Sequence, residues 1–286
     1  MENCLNTRMV EQNEHLLLGK VFTELQLGVL KKRLHGQSLN SNERTYYYKF
    51  IKPRIKAMMA LFGIDEINVK GKELMVDSRL DEAVGVLRKL ELKHKNKRMM
   101  LSGSFLFLHK YNDIDVFIFS KYDKADYKTS KVHVNFLPES TIDSLFFASL
   151  CQISVANFSY KTKQKYDIKL SDVMQTYELL VNALLEKQNM TKILRDFILQ
   201  TEYVSKAVVL NPKQLHNINR RLEHKKVDLL SDTFINALSL GYDAHDLSGR
   251  LRERIEDYTK LRTEYKTAKN LPIYIDTYSK VLELAT

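Results

Sequence analysis

The sequence predicts an α+β protein: a small mixed-sheet core flanked by an N-terminal helical module and a C-terminal helical bundle. Three observations carry this reading. Nine glycines and four prolines in 286 residues fall well under the average share of about 12%, too few turn residues for an all-β or linker-rich chain. Both ends of the sequence repeat apolar residues at helical spacing, and between them the period shortens to that of strands. With 44% hydrophobic and 28% charged residues, the chain has the apolar content of an ordinary globular protein.

In chain order, residues 10–35 carry Leu16, Leu17, Val21, Phe22, Leu25, Leu27, Val29 and Leu30 as one helical stripe, stopped by Gly36. Asn40-Ser41-Asn42-Glu43 approximates a capping box. It opens a second helix through Tyr46, Tyr47, Phe50, Ile51, Ile55, Met58 and Met59 to Gly63, with Pro53 as a kink or break. Residues 67–76 read as a short hairpin turning at Gly71. Two helices and a hairpin fit either a DNA-binding winged helix or a structural helical cap. Asp77-Ser78 caps a third helix with Leu80, Val84, Leu87 and Leu90.

Strands are expected at Met99–Leu101, Val116–Phe119, Val132–Leu137 and Ile153–Phe158, with a helix from Ile142 to Cys151. From about residue 165 the reading is helix throughout. Val173, Tyr177, Leu180, Val181, Leu184 and Leu185 form one stripe. Ile193, Leu194, Phe197, Ile198 and Val204 form another, ended by Asn211-Pro212. Leu247, Leu251, Ile255, Tyr258, Leu261 and Tyr265 form a bundle seam. The boundaries are 1–76 for the N-terminal module, 77–162 for the core and 163–286 for the bundle.

A formal charge of +10 and a pI near 9.3 point to polyanionic partners or to a Lys-rich soluble protein with none. The excess is weakest over residues 77–160 and is held by no tail. Its densest run is Arg88, Lys89, Lys93, Lys95, Lys97 and Arg98, with His94 among them, read as a solvated helix end. Cys4 and Cys151 make no disulfide framework and no metal-binding array. With no signal-peptide h-region and no apolar run of about 18 residues, the expected place is cytoplasmic, away from membranes.

Chemistry concentrates in residues 101–118. A strand runs into Gly103-Ser104, and a second strand opens with Asp113-Ile114-Asp115. Two carboxylates two apart on a strand face the same side and suit Mg²⁺, which takes oxygen ligands and substrate phosphates. Gly103 permits close backbone approach to a phosphate, and Ser104 offers hydroxyl and N–H groups at a helix start.

A Gly-Ser pair followed about ten residues later by Asp-x-Asp resembles the polymerase-beta-type nucleotidyltransferase superfamily. Asp113-Ile114-Asp115-Val116-Phe117 is similar to the metal-binding strand of archaeal tRNA CCA-adding enzymes and minimal nucleotidyltransferases. A catalytic domain followed by a helical bundle also resembles AbiE-type toxin nucleotidyltransferases of abortive-infection and toxin–antitoxin systems. The resemblance covers about residues 77–160.

It implies two-metal attack of an acceptor on the α-phosphate of an NTP, with pyrophosphate leaving. Asp113 and Asp115 would hold Mg²⁺ (or Mn²⁺), and Gly103 and Ser104 would cradle phosphates. Lys110 or Lys131 would offset phosphate charge. RNA (tRNA among the candidates) or protein would be the acceptor. The family's third carboxylate has no counterpart on the strand Val132–Leu137, which presents His133 and Asn135. His133 could bind metal or take a proton, and Glu139 and Asp143 lie just past the strand end. The spacer 105–111 is apolar where small and basic residues are common. The alternative is a catalytically degenerate fold that binds nucleic acid or a toxin–antitoxin partner.

No P-loop, Gly-x-Ser-x-Gly elbow or His-Glu-x-x-His motif occurs. Arg220 and His224 are spaced one short of the Arg-x4-6-His ribonuclease motif and read as a surface pair. His216 and His245 read as ordinary helix-surface histidines.

Overall fold

A computed structural model describes residues 7–61, 67–222 and 227–285. The fold is α+β. Contacts divide the chain into two compact units between Ile67 and Asn68.

The first unit is helical, but the stripe over residues 10–35 is not one helix. It splits into α1 (Thr7–Gln12), α2 (Glu14–Leu17) and α3 (Glu24–Leu34). Gly19 takes a φ of 73°, and Thr23 caps α3 in a reciprocal capping box with Gln26, so the backbone donors near residue 23 are satisfied without continuing α2. The capping box at Asn40 forms as read, with Asn40 Oδ1 accepting from the Glu43 N–H at 2.8 Å. It starts α4 (Ser41–Tyr46), which passes through a π-helical turn (Tyr47–Ile51) into α5 (Lys52–Leu61). Pro53 lacks the N–H that an α-helix would direct at the Lys49 carbonyl, and the wider turn lies directly before it, so the helix adjusts instead of breaking. Gly63 lies outside the described residues. Val10, Phe22, Leu27, Leu30, Ile51 and Ile55 form this unit's core.

In the second unit the expected hairpin at Gly71 does not form. The first strand, β1 (Asn68–Lys70), pairs antiparallel with β6 (Ser154–Ala156), and residues 72–74 make a 3-10 turn. Gly71 has a φ of +68°, and a Cβ there would meet the Gln152 carbonyl oxygen at 2.2 Å. The glycine is therefore a point of close backbone approach, and the winged-helix reading loses its wing.

The chain continues through α6 (Arg79–Lys93), β2 (Arg98–Ser102), α7 (Ser104–Phe107), β3 (Ile114–Ser120), β4 (Tyr127–Thr129), β5 (Val132–Pro138) and α8 (Leu145–Leu150) to β6. The helix α6 starts where it was read, although Ser78 makes no side-chain cap bond. The sheet order is β1-β6-β2-β3-β5-β4. Only β3 and β5 run parallel among these pairs, so the sheet is mixed, as expected. Phe117 and Phe119 pack with Met100 against Phe147 and Leu150 of α8. The basic run 88–98 is partly used by the fold: Lys93 sits 4.3 Å over the Tyr127 ring, and His94 Nε2 lies 2.7 Å from Tyr127 Oη.

The bundle comprises α9 (Leu170–Leu185), α10 (Thr191–Lys206), α11 (Pro212–Leu222), α12 (Val227–Gly241), α13 (Ala244–Glu264) and α14 (Asn270–Ala285). Asn211-Pro212 does not merely end a helix. Asn211 Oδ1 accepts from the Gln214 N–H and Gln214 Oε1 from the Asn211 N–H, both at 2.9 Å, with proline in the first helical position of α11. The seam at Leu247, Leu251 and Tyr258 is buried, but Leu261 in the last turn of α13 and Tyr265 just beyond it are exposed. Leu145 of α8 belongs to the bundle core, which joins the sheet layer to the helices. Among the described residues no helix is long and apolar enough to cross a membrane.

Candidate metal centre and adjoining cavity

The site is built by the start of the parallel β3–β5 pair. Ile114 N–H donates to the Lys131 carbonyl at 2.8 Å, and the ladder then sets Asp115 opposite His133 and Phe117 opposite Asn135. Parallel register puts opposed side chains on one face, so residues eighteen apart in sequence become neighbours. Asp113, Asp115 and His133, all half-buried, each offer a ligand atom, and these lie within 4.8 Å of one another.

His133 Nδ1 is 3.3 Å from Asp115 Oδ1, and Asn135 Nδ2 donates to the same oxygen at 3.5 Å. Lys128, across from His133 on β4, places Nζ 3.2 Å from Asp113 Oδ2. Gly103, between β2 and α7, has a φ of +112°, and a Cβ there would lie 3.3 Å from Asp115 Oδ2. Only glycine lets the backbone come this close to the carboxylate without strain.

Burial pushes the Asp115 carboxyl above its ordinary range, and the neighbouring Asp113 charge adds to this. His133 and Asn135 oppose it. A raised folded-state pKa means that the ionised group destabilises the metal-free fold at neutral pH, and that this cost disappears as pH falls through the raised value. Asp115→Asn is therefore expected to raise the melting temperature of chelator-treated protein at pH 7 to 8, with the advantage lost as pH falls through the raised value. A lower melting temperature for the variant at neutral pH would contradict this.

Two clefts open beside the donors. A cavity of about 330 Å³ is lined by Gly103, Ser104, Asp115 and Asn135, by Ser149 of α8, by Lys192 and Arg195 of α10, and by His216 and Asn219 of α11. A groove of about 750 Å³ shares Phe117, Asn135, Phe146, Lys192 and Arg195 with it. Arg195 lies 3.8 Å over the Phe146 ring and pairs with Asp196 at 2.8 Å. Two buried polar atoms without hydrogen-bond partners, Ser149 Oγ and Asn219 Oδ1, belong to residues that line the cavity. Such atoms cost about 1–3 kcal/mol each when left unsatisfied, a cost a polar ligand would relieve.

Of the sequence candidates, Asp113, Asp115, His133, Gly103 and Ser104 converge here. Glu139 does not join them. It lies past the far end of β5, six residues beyond His133 and so about 20 Å along the strand, where it pairs with Arg98 at 3.1 Å. Asp143 likewise pairs with Lys163 in the large groove. Lys110 is exposed on the segment between α7 and β3. Lys131 places its ammonium 5.5 Å from the centre of the Tyr111 ring.

The apolar spacer is core: Phe105, Leu106 and Phe107 are buried, and Arg79 stacks 4.5 Å over Tyr111. His216 is half-buried, edge-on to Phe107, and so is not an open surface histidine. His224 and Cys4 lie outside the described residues. Burial pushes the Cys151 thiol up to about 12, which leaves it a poor nucleophile. Lys128 escaped the sequence reading because the three-residue strand carrying it was not recognised. Ser149, Lys192, Arg195 and Asn219 carried no local signal.

No family model, curated protein or solved structure matches this chain.

Proposed function

We propose that the protein is a metal-dependent nucleotidyltransferase that moves a nucleoside monophosphate from an NTP to an RNA or protein acceptor. The observation that carries the reading is the convergence of Asp113, Asp115 and His133, with Asp115 lining, beside Gly103 and Ser104, a cavity that Ser149 and Asn219 also line. Two carboxylates and an imidazole fit a divalent cation, which when bound would neutralise phosphate charge and polarise the α-phosphate. The chain's own groups do the rest. Gly103 leaves room for backbone approach to a phosphate, and Lys192 and Arg195 supply positive charge to the cavity lining. Asn135 orients the Asp115 carboxylate.

The experiment is incubation with each NTP, labelled at the α- or the γ-phosphate, a divalent cation, and total tRNA or lysate as acceptor. Transfer of the α-label without the γ-label is expected. No transfer with any NTP, while nucleotide still binds, would leave the degenerate reading and remove this one.

The cavity supplies a separate check. Ser149→Ala and Asn219→Leu each remove an unpartnered polar group without adding much bulk to a buried position. Each should weaken NTP binding about tenfold, corresponding to one buried hydrogen bond of roughly 1.5 kcal/mol, without lowering the melting temperature of the free protein. Calorimetric titration decides it, and unchanged affinity in both variants would place the nucleotide elsewhere.

A further inference from the structure

His133 makes the donor set one nitrogen and two carboxylates. Its ring is fixed opposite Asp115 by the β3–β5 register and held 3.3 Å from Asp115 Oδ1, with its donor atom inside the same 4.8 Å group as Asp113. Mg²⁺ is small and hard, takes oxygen ligands and gives up its water reluctantly. Imidazole nitrogen instead favours first-row transition ions.

Lys128 sets the overall affinity for a cation and not the choice between ions. Its ammonium, 3.2 Å from Asp113 Oδ2, competes with any dication for that carboxylate.

We infer that the site selects a first-row transition cation of the Mn²⁺ class over Mg²⁺, and that His133 sets the preference. The inference rests on the metal-dependent reading above and deepens it. His133→Asp would restore an all-oxygen set and shift the preference toward Mg²⁺. Lys128→Ala would remove a competing charge and tighten both ions alike, leaving their ratio unchanged.

The test is Mn²⁺ binding to the full chain, followed by loss of the free-ion signal in electron paramagnetic resonance, with Mg²⁺ as competitor and no nucleotide present. Wild type should retain most of its Mn²⁺ against about a tenfold excess of Mg²⁺. His133→Asp should lose it at near-equal Mg²⁺, while Lys128→Ala should hold Mn²⁺ more tightly at the wild-type ratio. Displacement by equimolar Mg²⁺ in wild type, or an unchanged ratio in His133→Asp, overturns the selectivity and leaves the metal-dependent site standing. Failure of wild type to take up Mn²⁺, or uptake that survives Asp113→Asn with Asp115→Asn, overturns both. The wild-type competition decides the matter even if a variant fails to fold.

Discussion

Asp115→Asn is expected to lower the proposed nucleotidyl transfer by about 10³-fold, and Asp113→Asn by a similar factor. Each amide keeps the shape of the carboxylate and removes its charge. Charge stabilisation at such a site is worth several kcal/mol, and each 1.4 kcal/mol or so is a factor of ten in rate. The two aspartates differ in setting: Asp113 is paired with Lys128, whereas Asp115 is held by His133 and Asn135 and approached by Gly103. Glu139→Gln is the control. Its partner is Arg98, at the opposite end of β5, so transfer should stay within about twofold of wild type. Initial rates with α-labelled NTP measure all three. Aspartate variants within tenfold of wild type, or a Glu139 variant as impaired as they are, would contradict the assignment.

The largest stability effect is expected in the bundle, at Glu178. Its Oε1 accepts from Tyr258 Oη at 2.5 Å and Tyr278 Oη at 2.7 Å, while its backbone carbonyl accepts from Tyr274 Oη at 2.9 Å. Tyr278 is fully buried and Tyr258 nearly so. Their phenols stay neutral, since burial and the adjacent carboxylate raise both above the ordinary range, and so they serve as donors. Removing the acceptor strands two buried hydroxyls. Hydrogen bonds to a charged group are worth about 1.5–3 kcal/mol each, so Glu178→Ala should cost roughly 3–5 kcal/mol. Tyr278→Phe, which removes one donor and leaves Tyr258 in place, should cost about half as much. Urea unfolding gives both values, and a Glu178→Ala loss under about 1 kcal/mol would show that the network contributes little.

Much of the fold was legible because local rules coincide with the tertiary answer. The Asn40 capping box and the Gly36 stop are satisfied by near neighbours, and the apolar run of residues 116–119 marks a buried strand whichever strands pair with it. Where the reading failed, the deciding partner lay far along the chain. Gly71 reads as a hairpin tip in sequence, but the backbone of Gln152 lies against it. The stripe over residues 10–35 hid the cap at Thr23, because a threonine in a helical pattern gives the same apolar period on either side.

The site divides the same way. Asp113, Asp115, Gly103 and Ser104 form one short segment and could be read together. His133 could be named as the occupant of the third corner, but only the parallel register with β3 makes it a neighbour of Asp115. Glu139, close to His133 in sequence, is carried away from it by the straight rise of β5. Lys128 and the wall of α10 and α11 are assembled entirely by packing, and no periodicity records that.

In the proposed function Asp113, Asp115 and His133 hold a cation beside a bound nucleotide. The most direct measurement is an anomalous difference map from crystals of the full chain grown with Mn²⁺ and a non-transferable NTP analogue. A manganese peak bonded to all three side chains is expected, with the analogue's phosphates reaching toward Gly103 and its remainder in the cavity that Ser149 and Asn219 line. Manganese bound only elsewhere on the chain, or an analogue seated away from that cavity, would contradict it.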